Sequence, residues 1–245
     1  MKNHKQLCCL LMAGVMVFSL SACGQSNNTP AQNTQPETPS STETQPETTP
    51  DAQQPEENRS SAATGKTLVV YFSVPETTDP DNMTEEEDNS TVVIDGKVLG
   101  NTQYMAQVIG ETAAADLFCI EPEIPYPTDH DTLVEQASKE QEDKTRPAIK
   151  SQIENFDQYD TVFVGYPNWW GDMPMILYTF FDTYDFAGKT IIPFNTHGGS
   201  GFSSTIDTIQ QMEPNAQVMD GLSISRNNIQ DSRQEIADWV NGLDF

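Results

Sequence analysis

Basic residues are scarce in this chain: twelve Lys and Arg stand against 37 Asp and Glu, for a net charge of −25 over 245 positions. So negative a surface argues against nucleic acid as a partner, because the phosphate backbone would be repelled. Cysteine is scarcer still. Cys8, Cys9 and Cys23 fall in the first 23 residues, which leaves Cys119 alone in the remainder. A single thiol can build neither a disulfide framework nor a cysteine-based metal site. No apolar run is long enough for a membrane span; the longest, near the N-terminus, has about a dozen residues where about 20 are needed. From residue 24 to 64 large apolar side chains are missing altogether: "GQSNNTPAQNTQPETPSSTETQPETTPDAQQPEENRSSAAT" is Gln, Asn, Thr, Pro, Ser and Glu with little else. With nothing to bury, this segment is expected to be a disordered tether. Its length corresponds to on the order of 35 Å if flexible.

The opening "MKNHKQLCCLLMAGVMVFSLSAC" places Lys2 and Lys5 before the apolar run and small residues before Cys23. That is the pattern of a secretory signal peptide. "LSAC" resembles the lipobox of bacterial lipoproteins, in which the cysteine is lipidated and becomes the mature N-terminus. The expected division is a lipoprotein signal peptide over 1–22, a lipidated Cys23 with its tether over 23–64, and a folded domain over 65–245. The domain keeps 31 acidic and 9 basic residues, a net charge of −22. Such a surface suits a cationic partner or serves solubility.

Within the domain, short apolar runs alternate with helical patterns. "TLVVYFS" (67–73), "DLFCIEP" (116–122), "DTVFVGYP" (160–167) and "KTIIPFNT" (189–196) read as strands buried on both faces, and "AQVMDGLSI" as a fifth. "NTQYMAQVIGETAA" sets Met105, Val108, Ile109 and Thr112 on one helical face. "MILYTFFDTYDF", "SSTIDTIQQM" and "IQDSRQEIADWVNGL" supply further helices, the last with Ile236, Trp239 and Val240 inward. Alternation of this kind predicts an α/β domain with a parallel sheet and right-handed crossovers. Ligands of such sheets bind beyond the carboxyl ends of the strands.

Three loops follow those ends. After the first strand come Ser73 and, past an insertion, Gly100, Asn101 and Thr102, which offer hydroxyls, an amide and the free N–H groups of a helix start, as a phosphate requires. After the third comes "PNWWGDMP", whose adjacent tryptophans favour a planar ligand stacked on at least one ring. After the fourth comes "THGGSGF", whose glycines let a flat ligand approach the backbone. A serine hydrolase using His197 and Ser200 fails on pattern: the nucleophile elbow G-x-S-x-G has Phe202 where its last glycine belongs, and no histidine follows His197.

"YFS…GNT", "GYPNWWGDMP" and "GKTIIPFNTHGGSG", in that order, resemble the flavodoxin-like proteins, and the resemblance covers residues 65–245. It implies a flavodoxin-like three-layer, doubly wound, five-stranded parallel sheet of order 2-1-3-4-5, with FMN bound non-covalently and electrons moving through it. By that likeness Ser73, Gly100, Asn101 and Thr102 hold the phosphate. Pro167, Asn168, Trp169, Trp170 and Gly171 lie on one side of the isoalloxazine, and Thr196, His197, Gly198 and Gly199 lie by its pyrimidine edge. The chain departs from the family in residues 74–99, where the family has a short phosphate loop. "TVVIDGKVL" there reads as a hairpin with Asp95-Gly96 in a type I′ turn, and "TEEED" should point away from a phosphate. The expected function is an FMN-dependent electron carrier or small oxidoreductase tethered at the outer face of the cytoplasmic membrane, with a redox partner that docks a basic surface. The alternative is a ligand-binding or envelope interaction module of the same fold without redox turnover. With no Lys or Arg in the three loops, the acidic domain is expected to make addition of the second electron harder than in free FMN.

Overall fold

The structure, a computed structural model, describes residues 65–245; the signal peptide, Cys23 and tether expected over 1–64 lie outside the described residues. In the first strand, β1 (Lys66–Tyr71), the run Leu68–Tyr71 is apolar without interruption, and the strand lies inside the sheet between two neighbours. Its side chains divide strictly between two cores. Leu68, Val70 and Phe72 enter one and Val69 and Tyr71 the other, so from Leu68 onward every position faces protein.

The insertion follows. Thr84 caps a short helix, α1 (Glu85–Ser90), through a reciprocal box: Glu87 N–H donates to Thr84 Oγ1 at 3.2 Å and Thr84 N–H to Glu87 Oε2 at 2.7 Å. The sequence reading did not anticipate this helix. Its four acidic residues, Glu85 to Asp88, fill the first turn, where the helix dipole favours negative charge. Next come β2 (Thr91–Ile94) and β3 (Lys97–Gly100), antiparallel, with Asp95 and Gly96 both at positive φ, 51° and 75°. This is the expected I′ hairpin.

The chain then runs through α2 (Asn101–Ala113), β4 (Asp116–Cys119), α3 (His130–Asp143), β5 (Tyr159–Pro167), α4 (Met175–Thr183), β6 (Thr190–His197), α5 (Thr205–Met212), β7 (Gln217–Val218), β8 (Leu222–Ser225) and α6 (Arg233–Asn241). The main sheet has order β4-β1-β5-β6-β7, with β8 also beside β6, and every pairing is parallel. That is the expected 2-1-3-4-5, except that the fifth strand is broken in two. β7 ends opposite Ile191 and β8 resumes opposite Phe194, so Met219, Asp220 and Gly221 span the two β6 positions Ile192 and Pro193. The extra residue makes a bulge, and it falls where Pro193 has no N–H to pair.

Helices cover both faces. Residues of α3, α4 and α5 join the first core, and those of α2 and α6 the second. In α2 Met105, Val108 and Ile109 are buried as expected, and in α6 Ile236 and Val240 are. The helix α3 had not been read from the sequence, because only Leu133, Ala137 and Glu140 of its fourteen residues are buried. Among the described residues no helix is long and apolar enough to cross a membrane.

One surface carboxylate reports on the acidic excess. Burial, with Asp185 and then Asp182 nearby, pushes the Glu213 carboxyl up to about 7. Its folded pKa lies above its unfolded value, so its contribution to stability is present below pH 4.5 and is lost as pH rises toward 7. Glu213→Gln should therefore raise the unfolding free energy at pH 8 by about 1 kcal/mol, the shift being discounted because the group is only partly buried. At pH 4 the gain should vanish. Equal effects at both pH values in thermal denaturation would contradict this.

Candidate functional site

At the carboxyl edge of the sheet lies a cleft of about 240 Å³ where the three sequence-predicted loops meet. Ser73, Asn101 and Thr102 line one end, Pro167, Asn168, Trp169 and Trp170 a side, and Thr196, His197 and Gly198 the far wall. Gly100, Gly171 and Gly199, predicted with them, are not in the lining; each is the chain neighbour of a lining residue, Asn101, Trp170 and Gly198. Gly100 is the N-cap of α2 and its N–H donates to Gln103 Oε1 at 3.1 Å. A Cβ there would come 2.1 Å from Ser73 Oγ, so Ser73 rests directly on the glycine.

Gln103 reaches back only to the Gly100 N–H, and the N-cap glycine has no side chain to bond the first amides of α2, a thirteen-residue helix. Its first amides belong to cleft-lining residues, and the positive end of the helix dipole is directed there. Asn101 is buried, donates from Nδ2 to Asn89 O at 3.0 Å, and leaves its Oδ1 without a partner. Thr102 is also buried, and its Oγ1 bonds Thr196 Oγ1 at 2.8 Å, joining the helix start to the end of β6. The Thr102 hydroxyl is therefore already engaged, while its backbone belongs to the uncapped turn.

The tryptophan loop is a tight turn. Trp169 and Asp172 exchange both backbone hydrogen bonds, at 2.9 and 3.0 Å, around Trp170 at φ 55° and Gly171 at φ 78°. A tryptophan in the left-handed region is strained, and such strain clusters at functional sites. Asn168 holds the turn: its Oδ1 accepts from Gly171 N at 3.1 Å and its Nδ2 donates to Gly201 O at 2.9 Å, tying this loop to the next. The two rings differ. Trp169 packs edge-on against Phe72 and Tyr126, all three centroids 5.5 Å apart, whereas Trp170 is 59% exposed and anchored by one bond from Nε1 to Val134 O.

On the far wall Gly199 N–H donates to His197 Nδ1 at 2.8 Å. An Nδ1 that accepts carries no proton, so the neutral ring keeps its proton on Nε2. Burial lowers the His197 pKa, which favours this neutral form.

Further residues line the cleft that the sequence reading did not find. The insertion supplies Val74, Glu76, Asn89 and Ser90, and α3 supplies His130, Leu133, Val134 and Ala137. Glu76 is buried, and His130 Nδ1–H donates to its Oε2 at 2.8 Å. The run Glu85–Asp88 stays out of the lining, in keeping with the expectation that "TEEED" points away. Arg226, the first residue after β8, is the last addition. Its guanidinium lies beside Gly198, with Nη1 3.3 Å and Cζ 3.4 Å from where a Cβ on that glycine would stand. Among the described residues it makes no salt bridge, and no three carboxylates, cysteines or histidines converge as a metal site.

These features fit a phosphorylated, planar, uncharged ring system. An uncapped helix end and a hydroxyl suit the phosphate. Two rigid loops, one aromatic and one free of Cβ at Gly198 and Gly199, suit the ring.

A family model described as Flavodoxin matches residues 91–243. Among solved structures, a protein of Bacteroides eggerthii DSM 20697 assigned as a flavoprotein is 30% identical, with 72% of this chain and 96% of that chain covered and a TM-score of 0.55. Another so assigned, from Bacteroides uniformis ATCC 8492, is 29% identical, with 72% and 98% covered and a TM-score of 0.56. No curated protein matches.

Proposed function

The chain belongs to the flavodoxin family, and from that premise we propose that residues 65–245 bind one FMN non-covalently at the carboxyl edge of the sheet and serve as a redox protein. The observation that carries this reading is the uncapped N-terminus of α2 opening into the cleft flanked by the tryptophan turn. Ser73 and the first amides of α2, at Asn101 and Thr102, would hold the phosphate. The turn Pro167–Gly171 and the loop Thr196–Gly199 would hold the ring between them. When bound, FMN supplies one- and two-electron chemistry. The protein's own residues fix its place: Asn168 locks the two loops together, and the neutral His197 offers an N–H from Nε2.

Titration of the purified domain with FMN should give a yellow 1:1 complex, and riboflavin should bind more weakly. A protein that stays colourless at every FMN concentration would overturn the reading.

The tryptophans should separate cleanly. Trp170→Ala should leave bound flavin more fluorescent and bound several-fold more weakly, because the exposed ring is free to stack. Trp169→Ala should instead destabilise the fold by about 3 kcal/mol, because it opens the aromatic cluster with Phe72 and Tyr126. Thermal denaturation and flavin emission of the two variants check this; the reverse assignment of effects would refute it.

Lipidation of Cys23 would tether the domain at the outer face of the cytoplasmic membrane. Two acyl chains on one residue suffice for stable anchoring. Cys23→Ala should move the protein from the membrane to the soluble fraction, and continued membrane association would rule this anchor out. With a net charge of −22 on the domain, the fitting redox partner presents a basic docking surface, and their electron transfer should slow as salt rises.

A further inference from the structure

The domain has few cations, and those on its surface that the structure pairs, Lys139, Arg146, Lys150 and Arg233, each contact a carboxylate. Arg226 is different. It makes no salt bridge or hydrogen bond among the described residues, it lines the cleft, and its guanidinium stands against Gly198. Its position follows from the sheet. β8 lies parallel to β6 with Ser225 opposite His197, so the residues after each, Arg226 and Gly198, emerge side by side at the carboxyl edge. Ser225 then turns the chain into a short 3-10 helix, accepting from Asn227 N–H, so that the Arg226 backbone is held at that point. The neighbouring wall adds a second donor, the Nε2–H of neutral His197.

From this geometry we infer that Arg226 recognises negative charge on the pyrimidine edge of the bound flavin and thereby sets its potential. The inference rests on the FMN reading above. Two electrons and one proton, supplied by an external reductant and water, convert the neutral oxidised ring to a reduced ring that carries one negative charge, delocalised over N1 and the C2 carbonyl. A guanidinium at that edge interacts little with the neutral form and favourably with the anion, so it strengthens binding of the reduced state selectively. The surrounding carboxylates act in the opposite direction, but Glu85, Glu86 and Asp88 on α1 are exposed and solvent-screened. The nearer carboxylate, Glu76, is covered by His130.

The test compares the wild-type domain with Arg226→Gln and Arg226→Lys, each loaded with FMN. The potential is read by equilibration with a reference dye across pH. Arg226→Gln should lose about tenfold in its preference for the reduced over the oxidised flavin, which for a two-electron couple is a fall of about 30 mV. The pH at which the slope of potential against pH halves, marking proton loss from the reduced ring, should rise by about one unit. Arg226→Lys keeps the charge and should remain close to wild type in both. A role confined to packing would instead weaken oxidised FMN in both variants and leave the potential and slope unmoved. Unchanged potential in Arg226→Gln with FMN bound would overturn the inference alone. Failure of the wild-type domain to bind FMN would overturn the FMN reading and this inference with it.

Discussion

Ser73→Asp should weaken FMN binding by about a hundredfold or more while changing riboflavin binding only a few-fold. The substitution replaces the hydroxyl by a carboxylate, adding two heavy atoms and a full negative charge at the residue that rests on Gly100, beside the start of α2. In the unliganded protein a carboxylate there would cap the helix and interact well with its dipole, so folding should not suffer. Against a phosphate dianion it is repulsive on the order of several kcal/mol at 5 Å and an effective dielectric of 20, of which solvent screening leaves about 3 kcal/mol. Riboflavin lacks the phosphate and escapes that term. Isothermal titration with both ligands decides the matter. A parallel loss for both would place the phosphate away from Ser73 and α2.

The ability of the sequence to forecast this site depended on how local each feature is. β1, β5 and β6 were legible because a central parallel strand needs unbroken apolar residues, and the loops after them were legible because the fold directs ligands to those ends. The hairpin showed itself through Asp95-Gly96, whose positive φ values a type I′ turn requires. The helix α3 left little trace: it lies over the sheet on Leu133 and Ala137 and, Val134 apart, is otherwise largely polar. Missing α3 meant missing His130, Leu133 and Val134 from the cleft wall. The insertion leaves and rejoins the fold at nearly one place, with Ser73 Oγ against Gly100, and β3 leads directly into α2. Its contribution of Glu76, Asn89 and Ser90 to the cleft depends on tertiary folding that no local pattern encodes.

Arg226 shows the same limit in a sharper form. The expectation about the flavin's potential counted cations in three loops, and this residue belongs to none of them. The signal was present nonetheless, since "LSISR" ends the fifth strand, and in the order 2-1-3-4-5 the fifth strand lies beside the fourth. What could not be read was the bulge at 219–221, which shifts β8 by one residue relative to β7 and thus decides which residue after the strand meets Gly198. Surface charge summed over the domain and a single guanidinium at the ring edge push the potential in opposite directions. The nearer, unpaired charge acts across less screened space and should dominate locally.

Gly221→Ala should test that link between fold and site, with a loss of about 3 kcal/mol in stability, or about 6 to 12 °C in melting temperature for a domain of this size. A Cβ on Gly221 would lie 2.0 Å from Pro193 O and 2.6 Å from the Phe202 ring, and the first of these contacts is with backbone in the middle of β6. A side chain could rotate away, but a strand carbonyl flanked by paired neighbours cannot, so the chain around the bulge must lift from β6. β8 begins at the next residue, Leu222, and ends at Ser225, immediately before Arg226. Lifting it should separate the guanidinium from Gly198 and lower the flavin potential as Arg226→Gln does, even though no charge has been removed. Combining the two substitutions should then lower the potential no further than either alone, because both remove the same interaction. Additive shifts in the double variant would show that Gly221 acts on the flavin by another route, and a melting temperature equal to wild type would show that the bulge yields without moving β8.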